Sequence, residues 1–126
     1  MSTMIQALLV RPGEMVEWVA VPADQDGSTL AGLQALVGGF IEAVSLGDEA
    51  VMWANEEGYI LAAAGQTGFG PNWFATGLAA AANGSWSTIV GPCVITGSQG
   101  SQTVSLPREH GSRILDMFAS AQWSPA

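Results

Sequence analysis

Fifty consecutive residues, from Gly58 to Pro107, carry no Asp, Glu, Lys or Arg. So long an uncharged segment must span a membrane, fill a core or cover an interface. Tyr59 to Ala82 is long enough to cross a bilayer, which takes about 20 apolar residues. Its content argues otherwise: Gly65, Gln66, Gly68, Gly70, Pro71, Asn72 and Gly77 interrupt it, and Ala and Gly contribute little to insertion. The segment is expected to be buried or to form an interface. Across the whole chain of 126 residues only 11% are charged and 48% are apolar. That composition excludes disorder, which requires low hydrophobicity and high charge density, and the length is that of one domain.

The basic residues are Arg11, Arg108 and Arg113 alone, against a net charge of −8. Neutralising phosphates takes a basic patch, so direct nucleic-acid binding is excluded, and an anionic membrane surface is disfavoured for the same reason. Cys93 is the single cysteine, which rules out an internal disulfide or a thiolate metal cluster. Met1 to Val10 has no basic n-region and no small-residue cleavage site, so a cytoplasmic protein is expected.

Ile5–Val10 reads as a buried strand, and Met15–Val21, with Glu17 between Val16 and Trp18, as a half-buried one; Arg11-Pro12-Gly13 joins them as a hairpin. Ser28 caps a helix carrying Leu30, Leu33, Leu36 and Val37, which Gly38-Gly39 stops. Phe40–Leu46 is predicted as a strand. Ala50–Ala54 and Tyr59–Ala62 flank Asn55-Glu56-Glu57-Gly58 as a hairpin with a polar loop. After the glycine-rich loop Gly65–Pro71, a helix is expected from Pro71-Asn72 to about Ala82, with Trp73, Phe74 and Leu78 on its apolar side. Thr88–Thr96 is a strand with Gly91-Pro92 at a bulge or on a sheet edge, Gly97–Gln102 a turn. A last helix, capped by Ser105, starts near Pro107 and buries Ile114, Leu115, Met117 and Phe118. The expected fold is a single α+β domain over residues 1–120, with a mixed sheet of about five or six strands and two or three helices, and a loose tail over 121–126. Leu9, Leu33, Leu36, Ile41, Val51, Val90, Val94, Ile114 and Phe118 are its predicted core.

The chemistry-bearing residues do not assemble into an enzyme. Gly65-Gln-Thr-Gly-Phe-Gly70 lacks the lysine and hydroxyl of a phosphate loop. His110 and Cys93 stand alone in different elements, no serine sits in a nucleophile elbow, and no His or Cys cluster suits zinc. Glu56 and Glu57 are adjacent and lack the wider ligand set of a calcium loop. No catalytic residue, metal or cofactor is expected. Arg11 and Glu14 read either as a hairpin turn or as a contact site, because Arg11 is the only basic residue among the first 107. Five tryptophans are many for this length. Most should be core, and Trp123 is the one expected to be exposed.

One ordered set of motifs stands out: Ala7-Leu-Leu-Val-Arg-Pro-Gly-Glu14, Leu33-Gln-Ala-Leu-Val-Gly-Gly39 with Ile41-Glu42, Asn55-Glu-Glu-Gly58, Asn72 opening a helix, and Ile89-Val-Gly-Pro92 before a terminal helix. In this order, over about residues 4 to 119, the chain resembles the small domain-of-unknown-function family numbered 3846, found in bacteriophages, plasmids and bacterial genomes. Ala63 to Trp86 is longer and richer in Ala and Gly than the family's usual link. The resemblance implies an accessory protein of a mobile element. With the arginine-only, Ala- and Gly-rich composition of a high-GC genome, it implies an actinobacterial phage. The family's recurrent residues fall here on Arg11, Glu14, Gly38, Gly39, Glu42, Asn55, Glu56, Gly58 and Asn72.

Three functions fit these features. The first is a non-catalytic protein that binds a host protein, motivated by the uncharged, tryptophan-bearing half of the chain, because interfaces are depleted in charge and enriched in Trp. The second is a binder of a small, nucleotide-like ligand through Arg11, Asn55 and Asn72. The third, a DNA mimic, has only sparse acidity behind it. The candidate contact residues are Arg11, Glu14, Asn55, Glu56, Asn72, Trp73 and Trp86. The uncharged stretch also predicts a two-fold homodimer, because a domain of this size leaves about a third of its surface exposed and closed pairing covers a patch without building fibres.

Overall fold

The computed structural model describes residues 3–47, 49–85 and 87–122. The elements follow in the order β1 (Met4–Val10), β2 (Glu17–Pro22), α1 (Leu30–Val37), β3 (Ile41–Ser45), β4 (Ala50–Asn55), α2 (Gly58–Ala63), α3 (Trp73–Asn83), β5 (Cys93–Gln99), β6 (Gln102–Val104) and α4 (Arg108–Gln122). The strands form one six-stranded sheet in the order β2-β1-β5-β4-β3, with β6 also on β5. The α+β class is the expected one. Every pairing is antiparallel, not the mixed set predicted, because α1 carries the chain from β2 to β3 at the opposite edge of the sheet and so joins no parallel neighbours.

The strand β5 lies at the centre, and its alternation builds the two cores. Cys93 and Ile95 face the same side as Leu8, Val10 and Met52, and are covered by Ala75, Leu78 and Ala79 of α3 and Ile114 of α4. Val94 faces the other side with Ala7, Leu9 and Val21, beneath Leu33 and Val37 of α1. The register carries these rows across the sheet, Leu8 to Ile95 to Met52 and Leu9 to Val94 to Trp53. Strands buried on both faces read as unbroken apolar runs, which is why Ala7–Val10 and Cys93–Ile95 show no polar alternation. On α4, Phe118 meets Phe74 edge to face at 5.2 Å and 77°. The guanidinium of Arg108 stacks 5.5 Å over Trp18.

Most boundaries fall where expected, and several do not. Gly38 ends α1 in the left-handed region at φ 83°, a conformation that costs glycine nothing. The N-cap of α1 is Thr29 rather than Ser28, and it makes no side-chain cap bond. Ser105 does not cap α4; its hydroxyl accepts the Gln6 N–H at 2.9 Å and ties β1 to the β6–α4 turn. The predicted strand from Thr88 begins only at Cys93, Val90 making an isolated bridge to Pro71. The predicted turn Gly97–Gln102 narrows to Gly100 and Ser101, because β5 runs on to Gln99 and β6 opens at Gln102.

The hairpin across Asn55–Gly58 is the main correction. Tyr59–Ala62 lies in α2, not in a strand, because β3 and β5 already occupy both sides of β4. Of the predicted core, Leu9, Leu33, Val90, Val94 and Ile114 are buried, whereas Leu36, Ile41, Val51 and Phe118 are half-buried. Met117, expected inside, is exposed. Trp86, Trp123 and residues 123–126 of the predicted tail lie outside the described residues, while Ala121 and Gln122 complete α4.

Candidate functional site

Both β1 and β4 run antiparallel to β5, so their C-terminal ends emerge together where β5 and β3 begin. Arg11, Glu14, Glu42, Asn55, Glu56 and Asn72, scattered along the chain, are thereby carried to one end of the sheet. Their roles then divide.

Asn72 is buried and fully engaged. Its amide nitrogen donates to Val10 O at 3.0 Å and Gly91 O at 2.9 Å, and its amide oxygen caps α3 by accepting the Ala75 N–H at 3.2 Å. Asn55 is buried as well: it donates to Val37 O at 3.0 Å and accepts the Glu57 N–H at 2.7 Å. It clamps the last turn of α1 to the start of α2, and a Cβ on Gly39 would sit 3.1 Å from its amide nitrogen. Buried amides satisfied in this way hold backbone groups that would otherwise be orphaned. Both asparagines are structural.

Arg11 pairs with Glu14 at 3.4 Å and with Glu17 at 3.0 Å. Two carboxylates against one guanidinium leave no net positive charge to attract an anion. Cys93 is buried, and its thiol is pushed up to about 12 by burial and then by the negative charge of Glu42. A thiol so far from its thiolate form is no nucleophile. The Nδ1 of His110 is enclosed without a hydrogen-bond partner. Among the described residues no group of three metal-ligating side chains gathers, and no helix is long and apolar enough to cross a membrane.

Three surfaces remain open. At the sheet end, a cleft of about 190 Å³ is lined by Glu42, Glu56 and Tyr59; the Tyr59 hydroxyl donates to Thr88 O. Phe40, whose carbonyl accepts the Glu56 N–H at 2.8 Å, is 62% exposed, and Tyr59 and Ile60 are 62% and 66% exposed. The sequence reading placed Tyr59–Ala62 in a hairpin strand rather than in α2, and so missed the exposure of Tyr59 and Ile60. Between α3 and α4, Trp73 and Met117 border an apolar groove of about 380 Å³. Over the sheet face that α1 covers only in part, a groove of about 780 Å³ runs past Ile5, Leu30 and Trp53, with Asp26 its one charged lining residue. The Trp53 indole is pinned there by its N–H bond to Thr96 Oγ1 at 2.9 Å.

No curated protein and no solved structure matches this chain. One family model does, over residues 5–119, a span that contains every element from β2 to β6 and nearly all of β1 and α4. The chain therefore belongs to the family described as Domain of unknown function (DUF3846).

Proposed function

We propose that this chain is a non-catalytic accessory protein of a bacteriophage or other mobile element, which binds a host protein in the cytoplasm and pairs with a second copy of itself. The observation that carries host-protein binding is the exposure of Phe40, Tyr59 and Ile60, each more than 60% open to solvent, with Tyr59 lining a cleft together with Glu42 and Glu56. Large apolar side chains rimmed by charge mark association surfaces, and the two carboxylates select a partner with basic groups around an apolar centre. The small-ligand reading loses the residues that motivated it, since Asn55 and Asn72 are committed to backbone groups and Arg11 to two carboxylates. What favours it still is the groove of about 780 Å³ lined in part by Trp53, whose lining suits an uncharged ligand better than a nucleotide.

Affinity capture from host lysate, with the wild type beside Ile60→Glu and Tyr59→Ala, tests the main reading. A host protein retained by the wild type and lost by both variants, with their circular dichroism unchanged, is expected. Capture of nothing specific, or equal capture by Ile60→Glu, sinks it.

A further inference from the structure

Two observations on α3 ask for a neighbour that this chain does not itself supply. Trp73 stands 69% exposed at the start of the helix and Met117 of α4 is 48% exposed. The groove between them has an apolar floor of Phe74 and Phe118. The second observation is Gly77, in the middle of α3. A Cβ built on Gly77 meets nothing within 4 Å, so the packing of this chain places no demand for glycine there. A glycine inside a helix is less stable than alanine, and its use is the close approach of another backbone.

Charge selects the occupant. At a net charge of −8 two copies repel across most of their surface, but α3 carries no charged residue and the groove has none in its lining. On α4, Arg113 lies one turn before the lining residue Met117 and has no carboxylate partner among the described residues. The acids of α4, Glu109 and Asp116, offer one from a second copy. A two-fold axis turns such a set of charges into complementary pairs.

We infer that α3 packs antiparallel against α3 of a second copy about a two-fold axis near Gly77. About that axis, residues four before and four after Gly77 oppose each other, each about 6 Å along the helix. Trp73 of one copy then stands over Ala81 of the other, a large side chain against a small one, and its indole enters the groove beside Met117. An indole buried in this way removes about 150–250 Å² from water. The inference rests on the self-pairing proposed above and is independent of host-protein binding, whose surface at the sheet end stays free.

Light scattering of the full chain at micromolar concentration should give twice the chain mass of 13.0 kDa. Gly77→Leu and Trp73→Ala should return it to 13.0 kDa with the wild-type circular dichroism, because Gly77 faces open space and Trp73 is exposed. Gly77→Cys, oxidised with copper phenanthroline, should form a covalent dimer, since disulfides join Cα atoms about 4.4–6.8 Å apart and the native Cys93 is buried. A wild type that stays at 13.0 kDa at every concentration overturns self-pairing altogether. A wild-type dimer that survives Gly77→Leu, with no Gly77→Cys cross-link, overturns the α3 axis alone. Should Gly77→Leu fail to fold, the presence or absence of the cross-link decides.

Discussion

Asn72 joins three elements through one side chain, and removing it should cost more than a helix cap is worth. The residue is 1% exposed and makes three side-chain hydrogen bonds, two as donor to Val10 O and Gly91 O and one as acceptor from Ala75 N. In Asn72→Ala the cap bond is lost, at about 1 kcal/mol. Two buried carbonyls also lose a donor, at about 1–3 kcal/mol each. Each carbonyl has a second lone pair, so the lower half of that range applies and the sum is about 3–5 kcal/mol. That is a large share of the roughly 5–15 kcal/mol that holds a domain folded. Asn72→Asp separates the two roles. Aspartate caps a helix as well as asparagine does, but its carboxylate would face two carbonyl oxygens with nothing to donate. Chemical denaturation followed by tryptophan fluorescence should therefore find Asn72→Asp at least as destabilised as Asn72→Ala at neutral pH. Burial disfavours the charged carboxylate and raises its folded pKa above the unfolded value near 4. The protonated form can donate to one carbonyl, so the variant recovers stability in mild acid and loses it as pH rises through the raised value. An Asn72→Asp protein within about 1 kcal/mol of the wild type at neutral pH would refute the bridging role and leave only the cap.

Three further outcomes follow from the packing. Leu33→Ala, at a site only 2% exposed, should cost about 2–5 kcal/mol, and Leu36→Ala, half-buried on the same helix, less than about 2 kcal/mol; equal costs by urea denaturation would show the helix face to be misassigned. Gly91→Ala places a Cβ 2.7 Å from the Phe69 ring at φ +90°, so a loss above about 1 kcal/mol is expected, and a neutral result in thermal unfolding would contradict the close approach. The Cys93 thiol, raised from 9.0 to about 12, should resist alkylation in the native protein and react on unfolding. Because its folded value lies above its unfolded one, its contribution is complete below pH 9 and is lost as pH rises towards 12; rapid native labelling near pH 8 would exclude the buried placement.

Some of this was legible along the chain and some was not, for reasons that particular residues make plain. Ala7–Val10 announced itself as a buried strand, because both faces of such a strand must be apolar, whereas the strand through Cys93–Ile95 was read at a bulge or an edge and only the fold placed it at the centre of the sheet. Gly38 announced the end of α1 and Asn72 the start of α3, because a left-handed stop and an N-cap are local requirements that few residues meet. That three scattered arginines make no basic patch followed from composition alone. The fate of Tyr59–Ala62 did not: a short apolar run is strand or helix according to whether a sheet edge is free to receive it, and β4 had no free edge. Nor did the role of Asn55, whose partner Val37 O lies 18 residues away; a polar residue beside two glutamates resembles a surface turn until the fold buries it. Sequence also pointed to Arg11 as a lone cation, and only the packing of β1 against β2 set Glu17 beside it. Local requirements of backbone and burial were written in the sequence. Which side chains became buried, paired or left facing water depended on strands and helices distant in sequence, and only the tertiary structure brought those together.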